Sequence, residues 1–116
     1  PLVISDTVYV GGLDHKVTAL DLATGARKRE FTEFMAKDLI RSDPVSVEGL
    51  VVIASQDGKV VGLDPRSGAP RWEFQAKGQV LAGLAVQGRT LFVASLEKLL
   101  YSLDGGAGTK KWEAQI

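Results

Sequence analysis

Six carboxylates recur at matched places in this chain: Asp14, Asp57 and Glu97 form one series, and Asp21, Asp64 and Asp104 form another. Carboxylates gathered at one point could bind calcium or move protons. Recurrence argues for a plainer use, because a residue present in every copy of a repeat serves the repeat. An Asp at the entrance of a turn accepts hydrogen bonds from backbone amides two residues on. Turn and capping roles are therefore expected for all six. His15 is the only histidine, which excludes a His-based metal cluster, and no serine stands in a nucleophile motif. It is expected at a hairpin tip. Gly105-Gly106-Ala107-Gly108 has the composition of a phosphate-cradling loop but leads into a strand rather than a helix, so it reads as a turn. No catalytic, cofactor-binding or metal-ligating residue is expected, and no cofactor.

The elements that carry these residues come in three copies. One copy reads Ala19-Leu20-Asp21, Thr24-Gly25 and Arg29; the next Gly62-Leu63-Asp64, Ser67-Gly68 and Trp72; the last Ser102-Leu103-Asp104, Ala107-Gly108 and Trp112. Gly25 to Gly68 is 43 residues and Gly68 to Gly108 is 40, a spacing in the range of blade-forming repeats. Each copy offers four strands. A first extended segment is Leu2 to Ile4, Val45 to Val47, or Leu81 to Val86. Apolar runs follow at Val8-Tyr9-Val10, Val51-Val52-Ile53 and Leu91-Phe92-Val93, then third strands at Val17 to Leu20, Val60 to Leu63 and Leu99 to Leu103. Asp57-Gly58 between two apolar runs predicts a two-residue primed hairpin turn. The fourth strand carries Arg29-Glu30-Phe31, Arg71-Trp72-Glu73-Phe74 or Lys111-Trp112-Glu113.

Strands two and three are apolar at consecutive positions, as in strands covered on both faces, whereas strand four alternates and suits an outer edge. Four antiparallel strands covered by sheets like themselves make a propeller blade. The predicted fold is all-β: β-propeller blades, three four-stranded antiparallel sheets, over 1–33, 43–76 and 80–116, with a linker at 34–42. A β-sandwich and a curved β-solenoid are the competing architectures, and the period with four strands per unit favours the propeller.

The frame Gly62-Leu63-Asp64-Pro65-Arg66-Ser67-Gly68-Ala69-Pro70-Arg71-Trp72 resembles the tryptophan-docking motif of the quinoprotein-type, or PQQ-like, propeller repeat, Ala-x-Asp-x-x-Thr-Gly-x-x-x-Trp. The resemblance covers essentially the whole chain, with Arg29 in place of the tryptophan in copy one and Ala107 in place of the threonine in copy three. It implies that Trp72 and Trp112 wedge between blades, and that Asp21, Asp64, Asp104, Gly25, Gly68 and Gly108 serve the same docking. A guanidinium resists full burial, so the contact made through Arg29 is expected to be wetter or weaker than the others. The family includes quinone-dependent dehydrogenases, a propeller lipoprotein of the bacterial outer-membrane barrel-assembly machinery, and sensor domains attached to kinases. Its dehydrogenases use asparagine-containing calcium sites, and some use adjacent cysteines; this chain has neither asparagine nor cysteine.

Charge is balanced, with 14 Lys plus Arg against 14 Asp plus Glu, so no nucleic-acid or anionic-lipid partner is implied. Arg27-Lys28-Arg29 and Lys110-Lys111 are expected on outer strands, where charge blocks edge pairing. No apolar run reaches the roughly 18–20 residues that span a bilayer, and no membrane insertion is expected. Closed propellers carry about four to eight blades, so three leave apolar end faces to be covered by further blades of the same ring or by another copy. The longer connection after Phe31 makes Phe34, Met35, Leu39 and Ile40 candidate partner contacts, against the alternative that they cap a blade edge. Together these readings describe a non-catalytic scaffold for protein interaction, placed outside the cytoplasm by family resemblance. The alternatives are a slice of a quinone-dependent dehydrogenase and a ligand-sensing ectodomain.

Overall fold

A computed structural model describes residues 1–12, 14–80 and 83–116. Its elements are strands: β1 (Leu2–Ile4), β2 (Thr7–Gly11), β3 (Lys16–Asp21), β4 (Phe34–Met35), β5 (Val45–Val47), β6 (Leu50–Ala54), β7 (Lys59–Leu63), β8 (Pro70–Gln75), β9 (Ala85–Gln87), β10 (Thr90–Ser95), β11 (Leu99–Asp104) and β12 (Lys110–Gln115). They form three four-stranded sheets in chain order, β1 to β4, β5 to β8 and β9 to β12, with antiparallel neighbours throughout. The fold class is the one the repeat predicts.

The middle blade explains the consecutive apolar run. On β6, Val51 and Ile53 join Tyr9, Val17, Ala19 and Phe31 in one core, while Val52 and Ala54 join Leu91, Val93 and Leu103 in the other. Alternating side chains of one strand thus feed two cores, and all five residues of β6 are buried. In the flanking blades the same strands bury only every second side chain.

Blade one departs from the repeat. Its fourth strand is β4, pairing Phe34 with Val17 and Met35 with Lys16, and not the segment around Arg29-Glu30-Phe31. The chain makes one bridge at Arg27 to Leu20, then turns Phe31 inward to be 1% exposed, which breaks the strand and delays pairing. The expected linker 34–42 is therefore strand at its start. Further on, Ile40 bridges Ser55, and the Leu39 carbonyl accepts Gln56 N–H at 2.7 Å. The same device serves the next connection, where the Gln79 carbonyl accepts Leu96 N–H at 2.9 Å. In copy three the first strand is Ala85–Gln87, later than expected; Leu81 and Ala82 of the expected segment lie outside the described residues.

The Asp57-Gly58 hairpin is a three-residue loop rather than a two-residue one. Gly58 N–H donates to the Ser55 carbonyl and Ser55 N–H to the Lys59 carbonyl, with Gly58 at φ 94°, the left-handed closing residue of a three-residue hairpin loop. Asp57 stays out of the left-handed region because only the closing position of such a loop requires it; its carboxylate accepts Ser55 Oγ–H and, at 3.3 Å, Lys59 N–H. His15 (φ 72°) and Lys98 (φ 60°) hold the closing position in the other two blades, and their amides donate to Gly12 and Ser95 carbonyls in the same way.

Candidate functional site

The turn after the third strand is built identically in each blade. Asp21 Oδ1 accepts Ala23 N–H at 2.9 Å and Thr24 N–H at 3.0 Å. Asp64 Oδ1 accepts Arg66 and Ser67 N–H at 2.9 and 3.0 Å, and Asp104 Oδ1 accepts Gly106 and Ala107 N–H at 2.9 and 3.2 Å. The Asp carbonyl then accepts the amide of Gly25, Gly68 or Gly108 at 2.8, 2.9 and 2.7 Å, with each glycine at a φ between 72° and 77°. The left-handed closure is inexpensive only for glycine. Two amides on one oxygen stabilise the ionised acid. For Asp64 the Arg71 guanidinium on Oδ2, at 2.8 Å, is the larger cause, and the carboxyl is held well below the usual carboxylate range. Asp104 is lowered chiefly by the Gly106 amide. These carboxylates face their own turns. Among the described residues no three His, Cys, Asp or Glu side chains converge on a metal-sized site.

The blade seams are where the repeat's large side chains meet. At the second seam Trp72, 8% exposed, donates Nε1–H to the Gly105 carbonyl at 3.0 Å. Its indole lies between Gly62 of its own sheet and Gly108 of the next. A Cβ on Gly62 would stand 2.6 Å from Cε2, and one on Gly108 only 2.3 Å from Cε3.

At the first seam the corresponding Arg29 is exposed and the contact is not made through it. Instead Phe31 lies on Gly68, whose added Cβ would meet Phe31 Cε1 at 3.3 Å and the Thr32 carbonyl oxygen at 2.2 Å. Tyr9 Oη–H donates to the Pro65 carbonyl, which follows Asp64 as Gly105 follows Asp104. Tyr9 and Phe31 pack edge to face, with centroids 5.5 Å apart. Tyr9 on β2 and Phe31 in the connection before β4 thus divide between them the packing and the hydrogen bond that one indole supplies at the second seam. Neither was expected there. The signals in the sequence were the lone hydroxyl in the apolar run Val8-Tyr9-Val10 and the aromatic two residues after Arg29. A cleft of about 340 Å³ remains at this seam, lined by Tyr9, Phe31 and Pro65 and by the charged residues Asp6, Lys28, Glu30 and Arg66.

Trp112 and Gly25 do not meet a neighbouring blade. Trp112 is 45% exposed, tilted against Phe92 at 6.1 Å and paired across the sheet with Ser102. A Cβ on Gly25 would touch nothing within 4 Å. The reason is positional: the outer faces of blades one and three are covered by no described sheet of this chain. The four candidate partner contacts are not gathered into one patch. Ile40 is buried, Phe34 packs on the first core, Leu39 is half-buried, and only Met35 is exposed.

A family model described as outer membrane protein assembly factor BamB matches residues 29–116. The chain belongs to the BamB-like, PQQ-like propeller family. Within that family it is 33% identical over 89 residues to the outer membrane protein assembly factor BamB of Xanthomonas campestris pv. campestris, covering 71% of this chain and 22% of that protein. It is also 34% identical over 113 residues to the serine/threonine-protein kinase AfsK of Streptomyces coelicolor, covering 97% of this chain and 13% of the kinase. The crystal structure of BamB from Moraxella catarrhalis shares the fold at a TM-score of 0.83 and 21% identity, covering 97% of this chain and 33% of that one. The BamB-like segment thus spans a third or less of each. Among its described residues no helix is long and apolar enough to cross a membrane.

Proposed function

We propose that these blades form part of a non-catalytic propeller scaffold that holds protein partners in an extracytoplasmic compartment. The observation that carries this reading is the use made of the Asp21, Asp64 and Asp104 carboxylates, each of which binds two amides of its own turn rather than facing a shared cavity. The names of the BamB relatives, which call them assembly factors, support a role in interaction. The compartment follows from the same relatives. In this reading Trp72, Gly68 and Gly108, with the Asp turns, dock one blade on the next. Trp112 and Gly25 await the same contact from further blades of the ring or from a second copy.

Two measurements test it. Calorimetric titration with pyrroloquinoline quinone and calcium is expected to give no binding heat, and a saturable heat would overturn the non-catalytic reading. Light scattering on the isolated chain is expected to show association through the open faces; a stable monomer of 12.4 kDa would overturn the proposal that Trp112 and Gly25 seek a blade contact.

A further inference from the structure

The two uncovered faces of the chain are different halves of one kind of interface. On blade one the half-buried outer side chains are Val8, Val10 and Leu20, with Val8 and Leu20 paired across β2 and β3. In the repeat these positions correspond to Val51, Ile53 and Leu63, the residues of blade two that join the first core. Blade one therefore presents the side that receives a preceding blade. On blade three the half-buried outer side chains are Phe92, Ala94 and Leu100, which correspond to Val52, Ala54 and Val60 of the second core. Blade three presents the side that is laid on a following blade.

The turn after the third strand divides in the same way. It offers a glycine without a side chain and, three residues earlier, the carbonyl that follows the aspartate. Gly108 and the Gly105 carbonyl receive Trp72, while Gly68 and the Pro65 carbonyl receive Phe31 and Tyr9. Gly25 and the Leu22 carbonyl receive neither a ring nor a backbone donor from the described residues. Trp112 is the matching surplus, set beside Ser102 as Trp72 is set beside Gly62. One unused indole thus corresponds to one unused seat. The six outer side chains named above carry no charge, so the two faces can be buried together without stranding an ion. Trp112 laid against a second Trp112 would find neither the glycine nor the carbonyl.

We propose that blade three of one copy docks front to back on blade one of a second copy, with the Trp112 indole seated on Gly25 and its Nε1–H donated to the Leu22 carbonyl. The pairing rests on the reading that Trp112 and Gly25 seek a blade contact, and it adds which face meets which. The contact is heterologous: copies follow one another and form a closed ring where the rotation between them allows it. A buried tryptophan at the centre of such a contact carries much of its affinity.

The test is light scattering on the wild-type chain and on variants that each block one face. Trp112→Ala removes the indole, and Gly25→Val fills its seat. Each is expected to weaken self-association by roughly thirtyfold or more, leaving a monomer of 12.4 kDa at concentrations where the wild type associates. Should Gly25→Val not fold, Val8→Lys blocks the same face with a charge. Mixed in equal amounts, the two blocked variants retain one complementary pair of faces. They are expected to form a dimer of twice that mass and nothing larger. Folded variants that associate like the wild type, or a mixture that stays monomeric, would overturn the pairing. Association abolished by Trp112→Ala but untouched by both Gly25→Val and Val8→Lys would mark a face-to-face dimer, and would overturn the pairing while keeping the blade-contact reading. A monomeric wild type would overturn both.

Discussion

Tyr9 donates its hydroxyl to the Pro65 carbonyl across the first blade seam, at the turn position where the second seam has Gly105 accepting from Trp72. One acceptor site in the repeat is therefore satisfied by two unlike donors. The requirement conserved between the seams is geometric: a donor at the bottom of the interface, and a flat ring against a glycine with positive φ. Removing only the hydroxyl, as Tyr9→Phe, leaves that carbonyl without its donor while keeping the ring. A loss of about 1–2 kcal/mol is expected, measured by urea unfolding. A loss below a few tenths would mean that the bond contributes little at this seam.

The two tryptophans should respond unequally to truncation. Trp72 sits between two glycines and is almost fully buried, so Trp72→Ala opens a large cavity and is expected to cost about 3–5 kcal/mol. Trp112 is 45% exposed, and in a monomeric sample Trp112→Ala should cost about 1 kcal/mol or less. Paired denaturation curves decide this, and equal costs would show that Trp112 is covered in solution.

Acid should weaken the turns from below. Asp64 is lowered chiefly by Arg71 and then by the Ser67 and Arg66 amides. In the unfolded chain its carboxyl returns to about 3.9. The unfolded state therefore takes up the proton first as pH falls. The contribution of Asp64 is present above the unfolded value and is lost as pH drops from about 5 through the folded pKa. Asp64→Asn should flatten this acid limb, read from urea midpoints between pH 3 and pH 7. Parallel curves for the two proteins would contradict the assignment.

Two hairpins carry a side chain where the middle blade has glycine. His15 and Lys98 stand at φ 72° and 60°, matching Gly58 in their amide bonds to Gly12 and Ser95. Left-handed backbone costs an L-residue about 1–2 kcal/mol, partly offset by the larger chain entropy that glycine loses on folding. Lys98→Gly and His15→Gly are each expected to stabilise by about 0.5 kcal/mol, seen as a small rise in Tm. A fall in Tm for both would show that the side chains contribute more than the backbone strain removes.

What could be read without coordinates is what acts over a few residues. An Asp followed four residues later by a glycine specifies a turn through bonds spanning five residues, and it does so three times, with a hydroxyl residue before the glycine in two of them. Apolar residues at successive positions require cover on both sides of a strand, which makes a stack of sheets the consistent solution for this period. Which side chain bridges a seam is a different kind of fact. Pro65 lies 56 residues from Tyr9, and the aromatic two residues after Arg29 marks a candidate without deciding whether it or Arg29 enters the seam. Only the packing of blade one on blade two selects that pair, because the choice depends on volumes contributed by both sheets at once. The placing of the fourth strand at Phe34–Met35 follows from the same event: once Phe31 is drawn into the seam, the chain can return to Val17 and Lys16 only several residues later.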